Sequence, residues 1–475
     1  MSIELIGFIT LAVGLLSLVF HTPFIVYSFV CSTLLGSAAA FVMESLGGTN
    51  ISPSHLLLGF LTLKLLRGGT YLNASVQSLK FGRAGFWLML TVFYAVLSAY
   101  VMPRIFQGQT DIFPVRTVTG TEGSAVTFPL QPAMSNLTQS VYLVGDLVCF
   151  FILSGYAATE HGRKILGTAA LACVIFNLIM AALDLLTFFT NTTELLSFIR
   201  NANYTMMSDK EIAGFKRIVG SFVEASSFGS VTLGYFTFTF KLWLLGINTR
   251  KMLTLSLLSF VALIFSTSTT AYVGLAGLLG WLYFETMLGL ISRSMTRQGL
   301  LFVVAAPLML LVVALGISLN EGASHYVQDL LDTLVFNKMS TASGVERSMW
   351  NSQALQNVLD TAGFGVGNGS LRASSFPISV LASLGIIGTL LFTLFFASVL
   401  FSNSKSGMHS PINVAYRRAA KSVCIAWLIT AAVSGALTDL GLPFFVFAAL
   451  CSAPPLRSRV SEYQVAAQMP VLRSA

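Results

Sequence analysis

Residues 340–376 read STASGVERSMWNSQALQNVLDTAGFGVGNGSLRASSF, and residues 377–402 continue as PISVLASLGIIGTLLFTLFFASVLFS. The second segment carries no charge and exceeds the roughly 20 residues a helix needs to cross a hydrocarbon core at about 1.5 Å per residue. The first is polar and studded with glycine. A structured polar loop feeding so long an uncharged run sets the expected fold class: an all-α, polytopic transmembrane helical bundle with a large outer loop containing amphipathic helices.

Within that loop Ser343 and Glu346 have the spacing of a capping box. Val345, Met349, Leu355, Val358 and Leu359 then recur at near-helical intervals, which predicts a helix over 344–360 with Arg347 in its first turn. Gly363, Gly365, Gly367 and Gly369 follow, where backbone can approach a ligand closely or take a positive φ. Arg372, Ser374 and Ser375 close the stretch. An arginine, a flexible amide-rich loop and hydroxyls at the mouth of a span suit an anion. A surface loop whose glycines only make turns is the plainer alternative.

Composition extends the membrane reading to the whole chain. Hydrophobic residues make up 55% and charged residues 10% of 475, and mean hydropathy is +0.79, outside the soluble globular range. The net charge of +8 sits in short links between apolar runs, where it sets orientation rather than binding nucleic acid. Cys31, Cys149, Cys173, Cys424 and Cys451 fall in or beside apolar runs without CxxC spacing, so they read as small buried apolar residues, neither disulfides nor zinc ligands. The first apolar run lacks a basic n-region and a small-residue cleavage site and is expected to be retained.

Spans are expected near 3–20, 23–43, 54–66, 85–105, 138–158, 166–190, 229–247, 252–267, 269–292, 299–319, 377–402, 419–436 and 438–452, twelve or thirteen in a single membrane domain covering 1–475. Basic residues mark alternate links: Lys64, Arg67, Lys80 and Arg83; His161, Arg163 and Lys164; Arg250 and Lys251; Arg293 and Arg297; Lys405, Arg417, Arg418 and Lys421. The positive-inside rule assigns these to the cytoplasm. The long loops 106–137, 191–228 and 320–376 then share the outer face, where chemistry is expected. The tail beyond Leu456, with Arg457, Arg459 and Arg473, reads as a short cytoplasmic end.

In the second outer loop Ser208 and Glu211 form another capping box, with Ile212 and Phe215 on its apolar side. Arg217 and Glu224, seven apart, are expected on one face of the helix entering the next span, two turns apart. Either Arg217 holds a phosphate while Glu224 orients it or acts as a base, or the two form an interfacial ion pair that anchors the helix. Arg104 closes a span at the first outer loop, where it either snorkels to the interface or adds a third cation. Guanidinium groups from distant loops suit a diphosphate, because each binds two oxygens at once. No aspartate cluster or DxD motif accompanies them, so no divalent metal is required. His325, on an amphipathic helix expected along the bilayer surface, is a candidate base against the plainer reading of a structural histidine. Asp146, Asp184, Glu285 and Lys241 are few and scattered in the spans, a weak basis for a proton relay.

These stretches resemble the O-antigen polymerase and O-antigen ligase superfamily of bacterial envelope glycosyltransferases. The matching residues are Arg217-x-x-Gly220-x-Phe222-x-Glu224-x-Ser226-x-Phe228-Gly229 entering a span and the serine and threonine run at 266–270. Arg347, Trp350, the glycine-rich 363–370 and the later Gly385-Ile386-Ile387-Gly388 add to them, and Arg347 stands 16 positions before Gly363, similar to the arginine-to-glycine spacing of polymerase outer loops. The likeness covers about residues 200–400, and the rest only as a span pattern. It implies a GT-C-like fold and metal-independent glycosyl transfer without a cofactor. The donor would be an undecaprenyl-diphosphate-linked oligosaccharide in the bacterial inner membrane, with a chain-length regulator and a flippase as partners. Arg347, Arg217, Glu224 and His325 would be catalytic, and Arg104, Arg372, Trp350, Gly365, Gly367 and Ser370 would bind substrate. The 266–270 run lacks the arginine that many relatives carry. Phe336 stands where the ligase histidine motif has glycine, which favours a polymerase over a ligase. A lipid-linked glycan transporter is the alternative from another class.

Overall fold

The computed structural model describes residues 2–454 except 44–48, 68, 116–125, 203–210, 213–214, 292–294, 323, 326–327, 329–340 and 403–409. Ser208, the 324–332 helix beyond its first residues, Lys405 and the basic tail lie largely or wholly outside the described residues. The chain is mostly helical. In order the helices are α1 Leu5–Val19, α2 Thr22–Ser32, α3 Pro53–Leu66, α4 Gly69–Ser78, α5 Ala84–Ile105, α6 Met134–Ala157, α7 Glu160–Phe189 and α8 Ala225–Leu244. They continue as α9 Thr249–Phe265, α10 Thr269–Ile291, α11 Arg297–Ser318, α12 Ala342–Asp360, α13 Phe376–Leu400, α14 Pro411–Ser434 and α15 Leu442–Ser452. Short antiparallel ladders join Ser2–Ile3, Phe41–Met43 and Thr49–Ile51, pair Asp111–Ile112 with Phe128–Pro129, and pair Glu211–Ile212 with Phe215–Lys216.

Each expected span except 23–43 overlaps a helix along most of its length, because an uncharged run in lipid satisfies its backbone only internally. Six of these helices, α5, α6, α7, α10, α11 and α13, are long and apolar enough to cross a membrane, whereas α1, α2, α3 and α15 are apolar but shorter. The segment expected as one span over 23–43 is not one helix. α2 stops at Ser32, and the chain turns so that the Ser37 N–H donates to Ser221 O at 3.1 Å before returning as the strand at Phe41–Met43.

Close packing in the bundle relies on small residues, as membrane helices require. Gly234 of α8 sits under the Trp427 indole, whose N–H donates to Ser230 O at 2.9 Å, and Gly167 of α7 sits under the Tyr416 ring. Three of the four intramembrane charges that looked scattered are paired: Lys241 meets Glu285 at 2.7 Å, and Asp184 meets Arg200 at 2.7 Å and Lys216 at 3.4 Å, whereas Asp146 has no ion pair among the described residues. By contrast, no residue in the central apolar window of α11 is buried, so this helix presents its apolar side chains outward nearly all round.

One span is broken. Gly385, inside α13, has φ 64° and ψ −169°, which frees carbonyls of the preceding turn. The loop after α12 fills the gap with backbone alone: the Val366 and Gly367 N–H groups donate to Ala382 O and Ser383 O, both at 2.9 Å, and the Ile386 N–H returns to Gly363 O at 2.9 Å. Irregular backbone at this depth is tolerated only where protein satisfies it, as here.

Candidate functional site

Two of the three long outer loops are bound together by amide side chains. Gln353 and Asn357 of α12 donate to Asp111 O at 2.7 and 2.6 Å, Asn357 also donates to Thr110 Oγ1 at 2.7 Å, and the Thr110 hydroxyl donates to Asp360 at 2.6 Å. Pro114 bridges Leu371, and the Arg372 N–H donates to Phe113 O at 2.9 Å. The helix expected over 344–360 is therefore present, but its docking face is the polar one. Val345, Met349, Leu355 and Leu359 point outward, Leu359 being 74% exposed, while Ala354 and Asn357 are buried. Its cap is Thr341, whose hydroxyl accepts from the Gly344 N–H at 3.2 Å, rather than Ser343.

The second outer loop also departs from its helical reading. Glu211–Ile212 turns back on Phe215–Lys216 as a hairpin, and α8 begins only at Ala225 with Glu224 as its extended N-cap. Arg217 and Glu224 thus do not share a helix face. A turn shaped by Asp184 separates them: its Oδ2 accepts the Val219 N–H at 2.7 Å and the Gly220 N–H at 3.1 Å. Arg217 is aimed by the serine and threonine run, donating through Nε to Thr267 Oγ1 at 3.1 Å and through a terminal nitrogen to Thr267 O at 3.4 Å.

Four of the expected residues gather electrostatically. Burial lowers the Arg217 guanidinium from its usual value, with Glu224 and Tyr272 opposing. Burial also lowers Arg372, with Glu346 and Glu224 opposing and Arg347 adding to the fall. Glu224 therefore lies within reach of both Arg217 and Arg372, and Arg347 within reach of Arg372. Both arginines remain cationic at neutral pH, because guanidinium does not deprotonate in proteins. Arg372 stacks on Trp350 at 3.8 Å from the ring centroid, which orients its fork. Glu224 lines a cavity of about 290 Å³ with Ser226, Ser230, Trp427 and Asp439, and the Ser226 hydroxyl donates to it.

Other expected members stand apart or serve differently. Arg104 is exposed and folds back on its own helix, donating to Tyr100 O at 2.5 Å with its guanidinium 3.9 Å from the Tyr100 centroid. That is snorkelling geometry. His325 is exposed in a short helical piece after α11, and no hydrogen bond or ion pair among the described residues joins it to the arginines. Gly365, Gly367 and Ser370 do not present themselves to a ligand. A side chain at Gly365 would meet Gly385 N at 2.6 Å, and one at Gly367 would meet Pro103 Cδ and Ser98 O at 2.7 Å. The Ser370 hydroxyl donates to Val366 O and accepts from Asn136 Nδ2. The glycine run from Gly365 onward is buried and makes turns and close backbone contacts, so it is neither the ligand cradle nor the surface loop that were expected.

Two features were not foreseen. An apolar groove of about 610 Å³ runs between α7 and α9, lined by residues such as Leu185, Phe189, Leu258 and Phe265, and ends at Lys216 and Ile218, on either side of Arg217 in sequence. Asp439, in the link before α15, joins the cavity of Glu224 to a second one of about 220 Å³ that holds His55 and Asn50. No sequence spacing ties 439 to 55 or 224; Gly441 and Pro443 beside it were the only local sign of a special turn. Among the described residues no group of three or more His, Cys, Asp or Glu side chains is placed to hold a metal ion. No protein-family model and no curated protein matches the chain.

Proposed function

We propose that this membrane protein is a polysaccharide polymerase of the O-antigen polymerase and ligase type. It transfers a growing glycan from an undecaprenyl-diphosphate carrier to a hydroxyl of the next lipid-linked repeat on the periplasmic face of a bacterial inner membrane. The observation that carries this reading is that Glu224 lies within electrostatic reach of both Arg217 and Arg372, and Arg347 within reach of Arg372, from loops more than a hundred residues apart. Three guanidiniums against the two carboxylates Glu224 and Glu346 leave a net positive charge, which suits the diphosphate that departs when the sugar's anomeric C–O bond breaks. The α7–α9 groove beside Arg217 suits the isoprenoid tail of such a donor, and Trp350 offers an aromatic face at the arginine cluster.

In this mechanism the arginines stabilise charge that grows in the transition state, and each such contact is worth about 3–4 kcal/mol. Glu224, within electrostatic reach of Arg217 and Arg372, partly balances their charge. Arg217→Ala and Arg347→Ala, in protein expressed at wild-type level, are expected to cut polymer synthesis by about 10²–10³-fold. Polymer of normal length and amount from either variant rejects the mechanism. Accumulation of single lipid-linked repeats in a deletion strain supports the polymerase, whereas undecaprenyl-linked long chains that never reach another lipid identify a ligase.

A further inference from the structure

The second cavity, of about 220 Å³, lies between the strand at Thr49–Ile51, the first turn of α3, α6 and the link into α15. Its polar wall is mostly neutral: the Ser52, Ser54 and Tyr142 hydroxyls, the Asn50 amide and the His55 imidazole. The fold holds these groups in place. Ser52 caps α3, with its Oγ 2.7 Å from His55 Nδ1 and 2.8 Å from Ser54 Oγ, while the Tyr142 hydroxyl donates to Asn50 O at 2.9 Å and its ring stands 5.2 Å from the imidazole. No lysine or arginine is among the described residues that line the space, and Asp439 is the one carboxyl. An anion finds no counter-charge there, and one carboxyl is too few ligands for a divalent cation. One atom is left over. Asn50 is 8% exposed, and its Oδ1 has no hydrogen-bond partner. A buried amide oxygen without a donor destabilises the fold, and a ligand that donates to it recovers that cost.

We propose that this cavity is a monosaccharide subsite that seats the terminal sugar of the acceptor, and that Asn50 selects the sugar by its hydroxyl pattern. This rests on the glycosyl-transfer reading above. The volume is several times the ~30 Å³ share of one water and below the roughly 300–1,000 Å³ of sites for drug-sized ligands, a size that suits one sugar ring. A ring brings hydroxyls that both give and take hydrogen bonds, which neutral hydroxyl and amide walls match. Leu35, Leu442 and Pro443 offer an apolar surface to its C–H face. Asp439 and Pro443 line this cavity and also the cavity of Glu224, so a sugar in one stands next to a sugar in the other. Glu224 lies within electrostatic reach of Arg217 and Arg372, where the donor's diphosphate belongs. The Glu224 cavity therefore takes the donor sugar, and the His55 cavity takes the acceptor. A site built to hydrogen-bond a hydroxyl strongly rejects the analogue that lacks it, because a buried polar group is then left unpaired.

The test uses an alkyl glycoside of the host cell's own repeat unit in two ways. Calorimetry measures its binding to the full-length protein in detergent, and liposome assays use it as acceptor with a polyprenyl-diphosphate-linked repeat as donor. Wild type is expected to bind it. Asn50→Leu, which removes the unpaired oxygen at similar volume, is expected to weaken binding and raise the acceptor KM by roughly 10–100-fold, with kcat and the donor KM nearly unchanged. Monodeoxy glycosides locate the contact in wild type itself. The analogue lacking the hydroxyl that meets Asn50 is expected to bind about 10-fold more weakly, and that difference disappears in Asn50→Leu. Arg217→Ala is expected to lose transfer yet bind the glycoside as wild type does. Glycan transfer by wild type together with an unaltered acceptor KM in Asn50→Leu, or with equal binding of every deoxy analogue, overturns the subsite and leaves the glycosyl-transfer reading standing. Wild type that transfers no glycan overturns that reading. Glycoside binding that depends on Asn50 then still supports a saccharide site, and its absence removes both.

Discussion

At the scale of single residues, Asp184 shows how a charge inside the bundle shapes the loop that carries Arg217 and Glu224. It takes Arg200 and Lys216 as ion partners and the Val219 and Gly220 N–H groups as hydrogen-bond donors. The turn it holds sets where Arg217 starts and Glu224 ends. Asp184→Ala would leave two buried cations without their counter-charge, a loss of about 3–5 kcal/mol. A fall of that size in denaturant unfolding of the detergent-solubilised protein is expected, and a variant that unfolds with wild type removes the network from the account. The sequence presented Asp184 as an isolated carboxylate because its partners arrive from another loop. Arg217, Glu224, Arg347 and Arg372 were legible because guanidinium and carboxylate groups flanking apolar runs stand out against an oily background. Asp439 and His55 were not, since each reads as an ordinary residue beside a span until the fold brings them together.

At the scale of elements, existence was legible and boundaries were not. A continuous apolar run predicts a helix whatever surrounds it, which is why α5, α6, α7, α10, α11 and α13 fall where hydropathy places them. The turn that follows α2 ties Ser37 to Ser221, nearly two hundred residues away, and no local rule contains that. The face of α12 was misread for a related reason. Amide-to-backbone contacts dock it, and they leave no apolar period in the sequence. The break in α13 can be probed directly. A Cβ at Gly385 would stand 2.4 Å from Gly363 O and Phe364 O, backbone atoms that cannot step aside, and positive φ adds strain. Gly385→Ala is expected to cost about 1–3 kcal/mol and lower the melting temperature by several degrees. Gly316→Ala in α11, which meets nothing within 4 Å, should leave melting unchanged. Equal melting of the two variants would show that the loop does not depend on the break.

At the scale of the whole molecule, the three loops assigned to one face do meet, through Asn357, Arg372 and Glu224. Basic links assigned to the other face also meet one another. The Asn413 amide donates to Glu160 O at 3.2 Å, Arg163 and Arg417 lie within electrostatic reach, and the Thr296 hydroxyl donates to Leu244 O. This separation is what a positive-inside chain requires, and cysteine labelling tests its sign. In a background without native cysteines, Ser343→Cys should react with a membrane-impermeant maleimide added to spheroplasts, and Lys251→Cys only after the membrane is opened. The reverse pattern inverts the orientation and ends any outer-face chemistry. The clasp between the glycine loop and the split span has a further consequence. Its rungs are peptide groups that only glycine at 365, 367 and 385 lets come so close, so the loop and the split span are joined by contacts that exchange of outward-facing side chains such as Met349 and Leu359 does not reach. A chain clasped in this way can change its outward face while its anchorage stays the same.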